Sequence, residues 1–201
     1  MRLLVATNNL GKLEEYRQLL ADMSIELTSL AEEGIDFEPA ETGATFEENA
    51  VIKAEAFAKL SKLPTLADDS GLEIDALNGA PGTMSARYGG TDRHEDKKRY
   101  QLVLRQLAGV PWAQRSARFR CVLVLAIPNE PHQVTEGTVE GFIAESPAGD
   151  CGFGYDPVFY LTKYNCTMAQ LDPATKNRIS HRGRAIEAAR PLLQRLVKTT
   201  E

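Results

Sequence analysis

The sequence predicts an α/β fold, a mixed β-sheet with flanking helices. Three observations carry that prediction. Leu3-Leu4-Val5-Ala6 is a short apolar run of strand length, followed by a polar loop and then by Leu13, Tyr16, Leu19, Leu20 and Met23 at helical spacing. A second apolar run, Pro64 to Ala67, leads straight into Asp68-Asp69-Ser70-Gly71. Two long strand-like stretches, Ser116 to Ile127 and Gln133 to Ile143, flank a Pro128–Pro131 turn, and such a hairpin cannot belong to a purely parallel sheet.

The elements follow in order. After the first strand, Thr7 to Gly11 is a polar loop and Lys12 to Met23 a helix. Ile25 to Leu30 is a second strand, and the acidic stretch from Glu32 to Gly43 is a loop. Thr45-Phe46-Glu47-Glu48 has capping-box spacing, so a helix begins after Thr45, with Phe46, Ala50, Ala54, Phe57 and Ala58 on its buried face. Leu72 to Leu77 alternates apolar residues with Glu73 and Asp75, the pattern of a strand with one polar face. Gly79 to Gly82 is a loop, and Asp92 to Leu107 reads as a charged surface helix. Gly149 to Pro157 is a glycine-rich loop before a short strand, Val158 to Tyr160. Ser180 to Lys198 is a last helix; Pro191 inside it costs roughly 3 kcal/mol and predicts a kink or a restart. No repeat and no linker divides the 201 residues, so a single domain over 1–201 is expected.

Composition narrows the function. With 23 Lys and Arg against 28 Asp and Glu, the net charge is −5, which argues against a protein that lives on a nucleic-acid backbone. Cys121, Cys151 and Cys166 form no CxxC pair, which fits a reducing compartment better than a disulfide framework or a zinc site. The longest apolar run, Cys121 to Ile127, is far short of a membrane span. Leu3 to Ala6 is too short for a signal-peptide core, so a cytoplasmic protein without membrane attachment is expected.

Five segments contain chemistry-bearing residues, and each has a plain structural explanation beside the functional one. Thr7-Asn8-Asn9-Leu10-Gly11-Lys12 joins a strand to a helix start, where free N–H groups attract anions; an Asn-capped helix with a surface Lys explains it as well. It is not a Walker A loop, because Lys12 is followed by Leu13 and no Gly lies five residues before Gly11. Asp68 and Asp69 end an apolar run, where a carboxylate pair requires a cation or hydrogen bonds, although Asp-Asp-Ser-Gly is also good turn chemistry. Ser70 stands where an aspartyl-phosphate enzyme of the DxD type needs a carboxylate, which excludes that class. Glu41, in the acidic loop, is a further hard oxygen donor suited to Mg²⁺, or simply a solvated charge. Phe153-Gly154-Tyr155-Asp156 offers aromatic faces on a flexible backbone, able to stack on a base or to make a tight loop. Ser180-His181-Arg182-Gly183, with Lys176 upstream, supplies donors for phosphate or a keto oxygen, or else a cap and a solvated first turn.

Together these segments mean more than each does alone. ATNNLGK, ETGATFEENAVIKA, ADDSGLEIDAL, SARY, GFGYDPVF and SHRGRA occur in that order from about residue 3 to about residue 197. This arrangement closely resembles the inosine/xanthosine triphosphate pyrophosphatase family, which hydrolyses non-canonical purine nucleotides. The resemblance implies a long twisted mixed sheet forming two lobes around a central substrate cleft, a homodimer, and Mg²⁺-dependent hydrolysis of a nucleoside triphosphate between the α and β phosphates. It implies Asp69 as general base and metal carboxylate, Glu41 as the other metal carboxylate, and Asp68 as a partner behind them. Thr7, Asn8, Asn9, Leu10, Gly11 and Lys12 would bind the triphosphate, with Lys53 as a further phosphate contact, and Ser70 would face the substrate. Phe153, Gly154, Tyr155, Asp156, Lys176, His181 and Arg182 would recognise the base. A related pyrophosphatase for other nucleotides and a non-catalytic nucleotide sensor are the competing readings.

Overall fold

The structure, a computed structural model, describes residues 1–92 and 94–200. The first strand, β1 (Arg2–Val5), pairs in parallel with both β2 (Glu26–Ser29) and β3 (Thr65–Ile74). With β4 (Ser116–Ala126), β5 (Gln133–Ile143), β6 (Phe159–Leu161) and β7 (Cys166–Thr167), they make one seven-stranded sheet in the order β2-β1-β3-β4-β5-β6-β7. The β5–β6 and β6–β7 pairs are antiparallel, so the sheet is mixed. The connection over residues 127–132 is too short for a parallel crossover, which takes about a dozen residues, so β4 and β5 are also antiparallel.

Helices follow local chemistry. In α1 (Leu10–Leu19) the Asn9 side chain accepts from the Lys12 N–H and caps the start. In α2 (Phe46–Ser61) the predicted capping box is formed: Thr45 Oγ1 accepts from Glu48 N–H, and the Glu48 carboxylate accepts from Thr45 N–H. Next come α3 (Asp96–Gln106), α4 (Pro173–Ile179) and α5 (His181–Thr200). Among the described residues no helix is long and apolar enough to cross a membrane.

Two compact units are distinguishable. One comprises Met1–Asp69, Cys121–Gly137 and the chain from Arg182 on. It has a core on each face of its strands. Leu3, Val5 and Leu66 pack with Leu13, Tyr16, Ile186 and Leu193 of α1 and α5, while Leu4, Ala6 and Ala67 pack with Phe46, Ala50 and Phe57 of α2. Strand alternation sends successive side chains to opposite layers. The other unit comprises Ser70–Arg120 and Thr138–His181. Its core gathers Leu72, Ile74, Phe119, Ile143 and Phe159 under Val103 and Leu107.

Four expectations change. Residues 65–74 form one uninterrupted strand, so Asp68-Asp69-Ser70-Gly71 lies inside β3 and is not a turn. The strand ends at Ile74, and Asp75–Leu77 closes as a 3₁₀ turn. The helix expected from Asp92 begins at Asp96 (residue 93 lies outside the described residues), and it buries Arg99 as well as Val103. Finally, α5 continues through Pro191 without a restart. Ala185, Ile186, Ala189 and Leu193 are buried on both sides of the proline, and that packing outweighs the missing hydrogen bond.

Candidate active site

In the first unit, β1 ends at Val5 and the chain turns through Thr7–Asn9 into α1. Thr7 Oγ1 accepts from Asn9 N–H at 3.1 Å, and Asn9 Oδ1 from Lys12 N–H at 3.0 Å, so the loop is held by its own side chains. Asn8, Asn9 and Leu10 are exposed, while Thr7, Gly11 and Lys12 are half-buried. Lys12 is not a surface lysine: its Nζ donates to Asp68 Oδ2 at 2.8 Å.

Adjacent carboxylates of β3 face opposite layers. Asp68 lies on the α1 and α5 side, with Lys12 Nζ at 2.8 Å, Arg182 Nη2 at 4.0 Å and Cys121 Sγ at 3.9 Å. Burial alone would raise its pKa, but Lys12, Arg182 and Lys53 override that and hold Asp68 well below the ordinary carboxylate range. Arg182 in turn is salt-bridged to buried Glu15, and its guanidinium stands 5.9 Å from the Tyr16 ring. Burial, followed by the Asp68 charge, pushes the Cys121 thiol up to about 12.

Asp69 lies on the α2 side. Its Oδ1 is 3.1 Å from Lys53 Nζ, and its Oδ2 accepts from Asn49 Nδ2 at 3.3 Å. Lys53 also reaches Glu41 Oε1 at 3.3 Å, so one ammonium holds both carboxylates. Burial raises the Asp69 pKa, and Glu41 adds to that, against the opposing pull of Lys53 and Lys12. For Lys53 burial is the largest influence and would lower the pKa; Asp69, Asp68 and Glu41 outweigh it and raise it. Asn49 ties the acidic loop to this group, because its Oδ1 accepts from Gly43 N–H at 2.8 Å. A Cβ at Gly43 would stand 2.6 Å from Glu48 Cβ and 2.9 Å from the Asn49 backbone nitrogen, so only glycine fits there.

A second cluster lies in the other unit. Lys176 Nζ donates to Asp156 Oδ2 at 2.6 Å and sits 4.8 Å over the Phe153 ring. The same Asp156 oxygen accepts from Phe153 N–H at 2.9 Å, and both Lys176 and Asp156 are buried. Gly152 has φ +77°, and a Cβ there would lie 2.1 Å from Asp156 Oδ2. Tyr155 is buried and donates to the Ser85 carbonyl at 2.9 Å. His181 is buried and stacks on Phe119, with ring centroids 4.8 Å apart and planes 16° apart.

The predicted residues thus fall into two groups. Thr7 to Lys12, Glu41, Asp69 and Arg182 belong to the first unit; Phe153 to Asp156, Lys176 and His181 belong to the second, where half-buried Ser70 begins it. His181 and Arg182, neighbours in sequence, have different surroundings. Sequence reasoning missed Glu15, Cys121 and Phe119, whose roles arise only from tertiary contact. Asn49 was legible in principle, one helical turn before Lys53 on the α2 face.

Among the described residues no group of three or more His, Cys, Asp and Glu converges on one point. A carboxylate pair such as Glu41 and Asp69 does, around a single cationic centre.

The family model described as the Ham1 family matches residues 3–192. The chain belongs to the Ham1 family. Its relatives include the dITP/XTP pyrophosphatase of Geobacillus kaustophilus strain HTA426, 51% identical over 184 residues, spanning 92% of this chain and 90% of that protein. The dITP/XTP pyrophosphatase of Bacillus subtilis strain 168 is 48% identical over 191 residues, spanning 95% of this chain and 96% of that protein. The solved structure of a HAM1 protein from Coxiella burnetii matches with a TM-score of 0.86 at 44% identity, covering 97% of this chain and 99% of that one. The Staphylococcus aureus Ham1 protein matches at 0.84 and 41% identity, covering the whole of both chains. These Ham1 structures bear out the α/β fold with a mixed sheet and flanking helices.

Proposed function

We propose that this chain hydrolyses non-canonical purine nucleoside triphosphates, those of inosine, deoxyinosine and xanthosine, to the monophosphate and pyrophosphate. The observation that carries the reaction type is Asp69: a buried carboxylate with a raised pKa, oriented by Lys53 and Asn49 beside Glu41. A general base is most effective when its pKa is shifted toward the working pH. The dITP/XTP pyrophosphatase activity of relatives about half identical over nearly the whole chain supports the substrate class.

Two hard carboxylate donors around one cation fit Mg²⁺, which takes one or two protein carboxylates and completes its shell with water and phosphate oxygens. Glu41 and Asp69 would hold it, and when bound it neutralises charge on the triphosphate. The rest falls to the chain itself. The Thr7–Asn9 loop and the start of α1 present N–H groups to phosphate oxygens, and Lys12 adds a full charge. Asp69 orients a water and takes its proton as the water oxygen bonds to the α-phosphorus; the bond to the oxygen bridging to the β-phosphorus breaks, and pyrophosphate leaves. Little covalent work is asked of the protein beyond positioning and charge stabilisation.

Base recognition belongs to Phe153, Gly154, Tyr155, Asp156, Lys176, His181 and Arg182, with Ser70 facing the substrate. Inosine and xanthosine carry a 6-keto acceptor where adenine carries an amino donor. A site built from donors leaves them unpaired against adenine, a mismatch that discriminates by roughly 10⁴-fold. Within this reading the enzyme is a cytoplasmic homodimer of one-domain chains, and neither nucleic acid nor membrane is a partner.

Arg182 has a second reading, favoured by its contacts with Glu15 and Asp68: an electrostatic role at the phosphate end. Arg182→Ala distinguishes the two. Loss of deoxyinosine triphosphate hydrolysis with pyrophosphate binding kept supports base recognition, and equal loss of both supports the phosphate end. The function itself is tested by supplying the triphosphates of deoxyinosine, xanthosine, guanosine, adenosine and thymidine with Mg²⁺ and measuring pyrophosphate and orthophosphate. Pyrophosphate from the first two, with little from guanosine, adenosine or thymidine triphosphate, is expected; binding without product would reveal a sensor.

A further inference from the structure

The first residue of α3, Asp96, does not cap its own helix, and Glu95 before it makes no side-chain cap either. The Asp96 carboxylate serves two other groups. Oδ2 accepts from the Gly154 N–H at 2.7 Å, and Oδ1 is held by Arg99 Nη2. Arg99 is 3% exposed, which is unusual for a guanidinium on a helix that reads as a charged surface helix. Its Nη1 donates to the Ala86 carbonyl at 3.0 Å and to the Asp92 carbonyl. A buried cation is tolerated only with such partners. Arg99 and Asp96 therefore link the Ser85–Arg87 segment to the peptide between Phe153 and Gly154.

Gly154 is held at both ends of the peptide that precedes it. It has φ +65°, its chain neighbours apart no atom lies within 4 Å of where its Cβ would be, and the carbonyl of the Phe153–Gly154 peptide accepts from Asp156 N–H at 3.3 Å. Its neighbours are tied separately, Phe153 N–H to Asp156 and the Tyr155 hydroxyl to the Ser85 carbonyl. The Asp96 carboxylate supplies the shorter and charge-assisted tether of that peptide, at its N–H. We propose that Asp96, locked in place by Arg99, is a positioning residue that holds the Gly154 peptide and thereby sets base selectivity without touching the nucleotide. The selectivity half rests on the reading of Phe153–Asp156 as the base-recognition loop.

The test combines hydrogen exchange of the ligand-free protein with steady-state kinetics. Asp96→Ala is expected to speed amide exchange in the 151–157 segment while leaving residues 3–13 unchanged. It should raise the KM for deoxyinosine triphosphate about tenfold, as loss of one charge-assisted hydrogen bond implies. The kcat should stay within about threefold and inhibition by pyrophosphate within about twofold, because uniform binding at the base end alone is lost. The preference for deoxyinosine over deoxyadenosine triphosphate should narrow. Asp96→Asn is nearly isosteric but keeps only one acceptor oxygen, its amide nitrogen facing either Gly154 or Arg99, and should restore part of the KM; it keeps the proposal falsifiable if Asp96→Ala fails to fold. Arg99→Lys should fall between the two.

Unchanged exchange at 151–157 would remove the tether. Faster exchange with unchanged KM and preference would remove its role in selectivity, as would equal weakening of pyrophosphate and deoxyinosine triphosphate. If the unmodified protein does not act on deoxyinosine triphosphate, the base reading and the selectivity half fall together, and exchange alone still decides whether Asp96 holds the loop.

Discussion

Asp68 and Asp69 are adjacent, yet their environments drive them in opposite directions. Strand alternation puts one against Lys12 and Arg182 and the other against Lys53, Asn49 and Glu41. Asp68, with its depressed pKa, contributes stability that is complete above its unfolded value near 3.8 and is lost as pH falls through the folded value. Asp68→Asn leaves Lys12 and Arg182 facing a neutral partner in the interior. It should destabilise the protein by about 3 kcal/mol at pH 7. Urea unfolding at pH 7, 5, 3 and 2 checks this, with the gap to the unmodified protein equal at pH 7 and 5 and narrowing only below about pH 3.8. Asp69 has a raised pKa and acts as a base only when deprotonated. That raised value belongs to the metal-free chain, and Asp69→Asn should abolish turnover without unfolding the chain, as an activity assay beside a thermal melt would show. The adjacency of the two carboxylates was legible in the sequence, but their division of labour was not, because it depends on partners 16 and 56 residues away.

At the scale of elements, β3 carries the site because it does not break. Asp-Asp-Ser-Gly has strong turn chemistry, yet β3 lies between β1, paired at Thr65 and Leu66, and β4, and with burial on both faces residues 65–74 stay extended. The capping box of α2 was readable from four residues, and it fixes the helix that presents Asn49 and Lys53. Arg99 was not readable, since helical charge patterns do not reveal which charge turns inward. Gly43 joins the acidic loop to Asn49. Gly43→Ala should force that contact apart at a cost of about 1–3 kcal/mol and raise the Mg²⁺ concentration needed for half-maximal rate, as a metal titration would show. Gly152→Ala should displace Asp156 and Lys176 instead, so its effect should fall on the KM for the nucleotide and leave the Mg²⁺ titration unchanged.

For the whole molecule, a net charge of −5 is compatible with the proposed site for a highly charged anion because Lys12 and Lys53 are concentrated at β3. Both lysines are neutralised by carboxylates in the free protein. Productive triphosphate binding should therefore require the divalent cation, and chelation with EDTA should abolish turnover reversibly. The two groups of predicted residues belong to two units, each with its own core. Motif order along the chain was enough to assemble both lists, but only the fold separates Arg182 from His181. In the proposed reaction water attacks the α-phosphorus with Asp69 as base. Hydrolysis of deoxyinosine triphosphate in ¹⁸O-labelled water with Mg²⁺ reports which phosphorus is attacked. The label is expected in deoxyinosine monophosphate, with unlabelled pyrophosphate and no product from Asp69→Asn. Label in pyrophosphate, or release of orthophosphate, would contradict it.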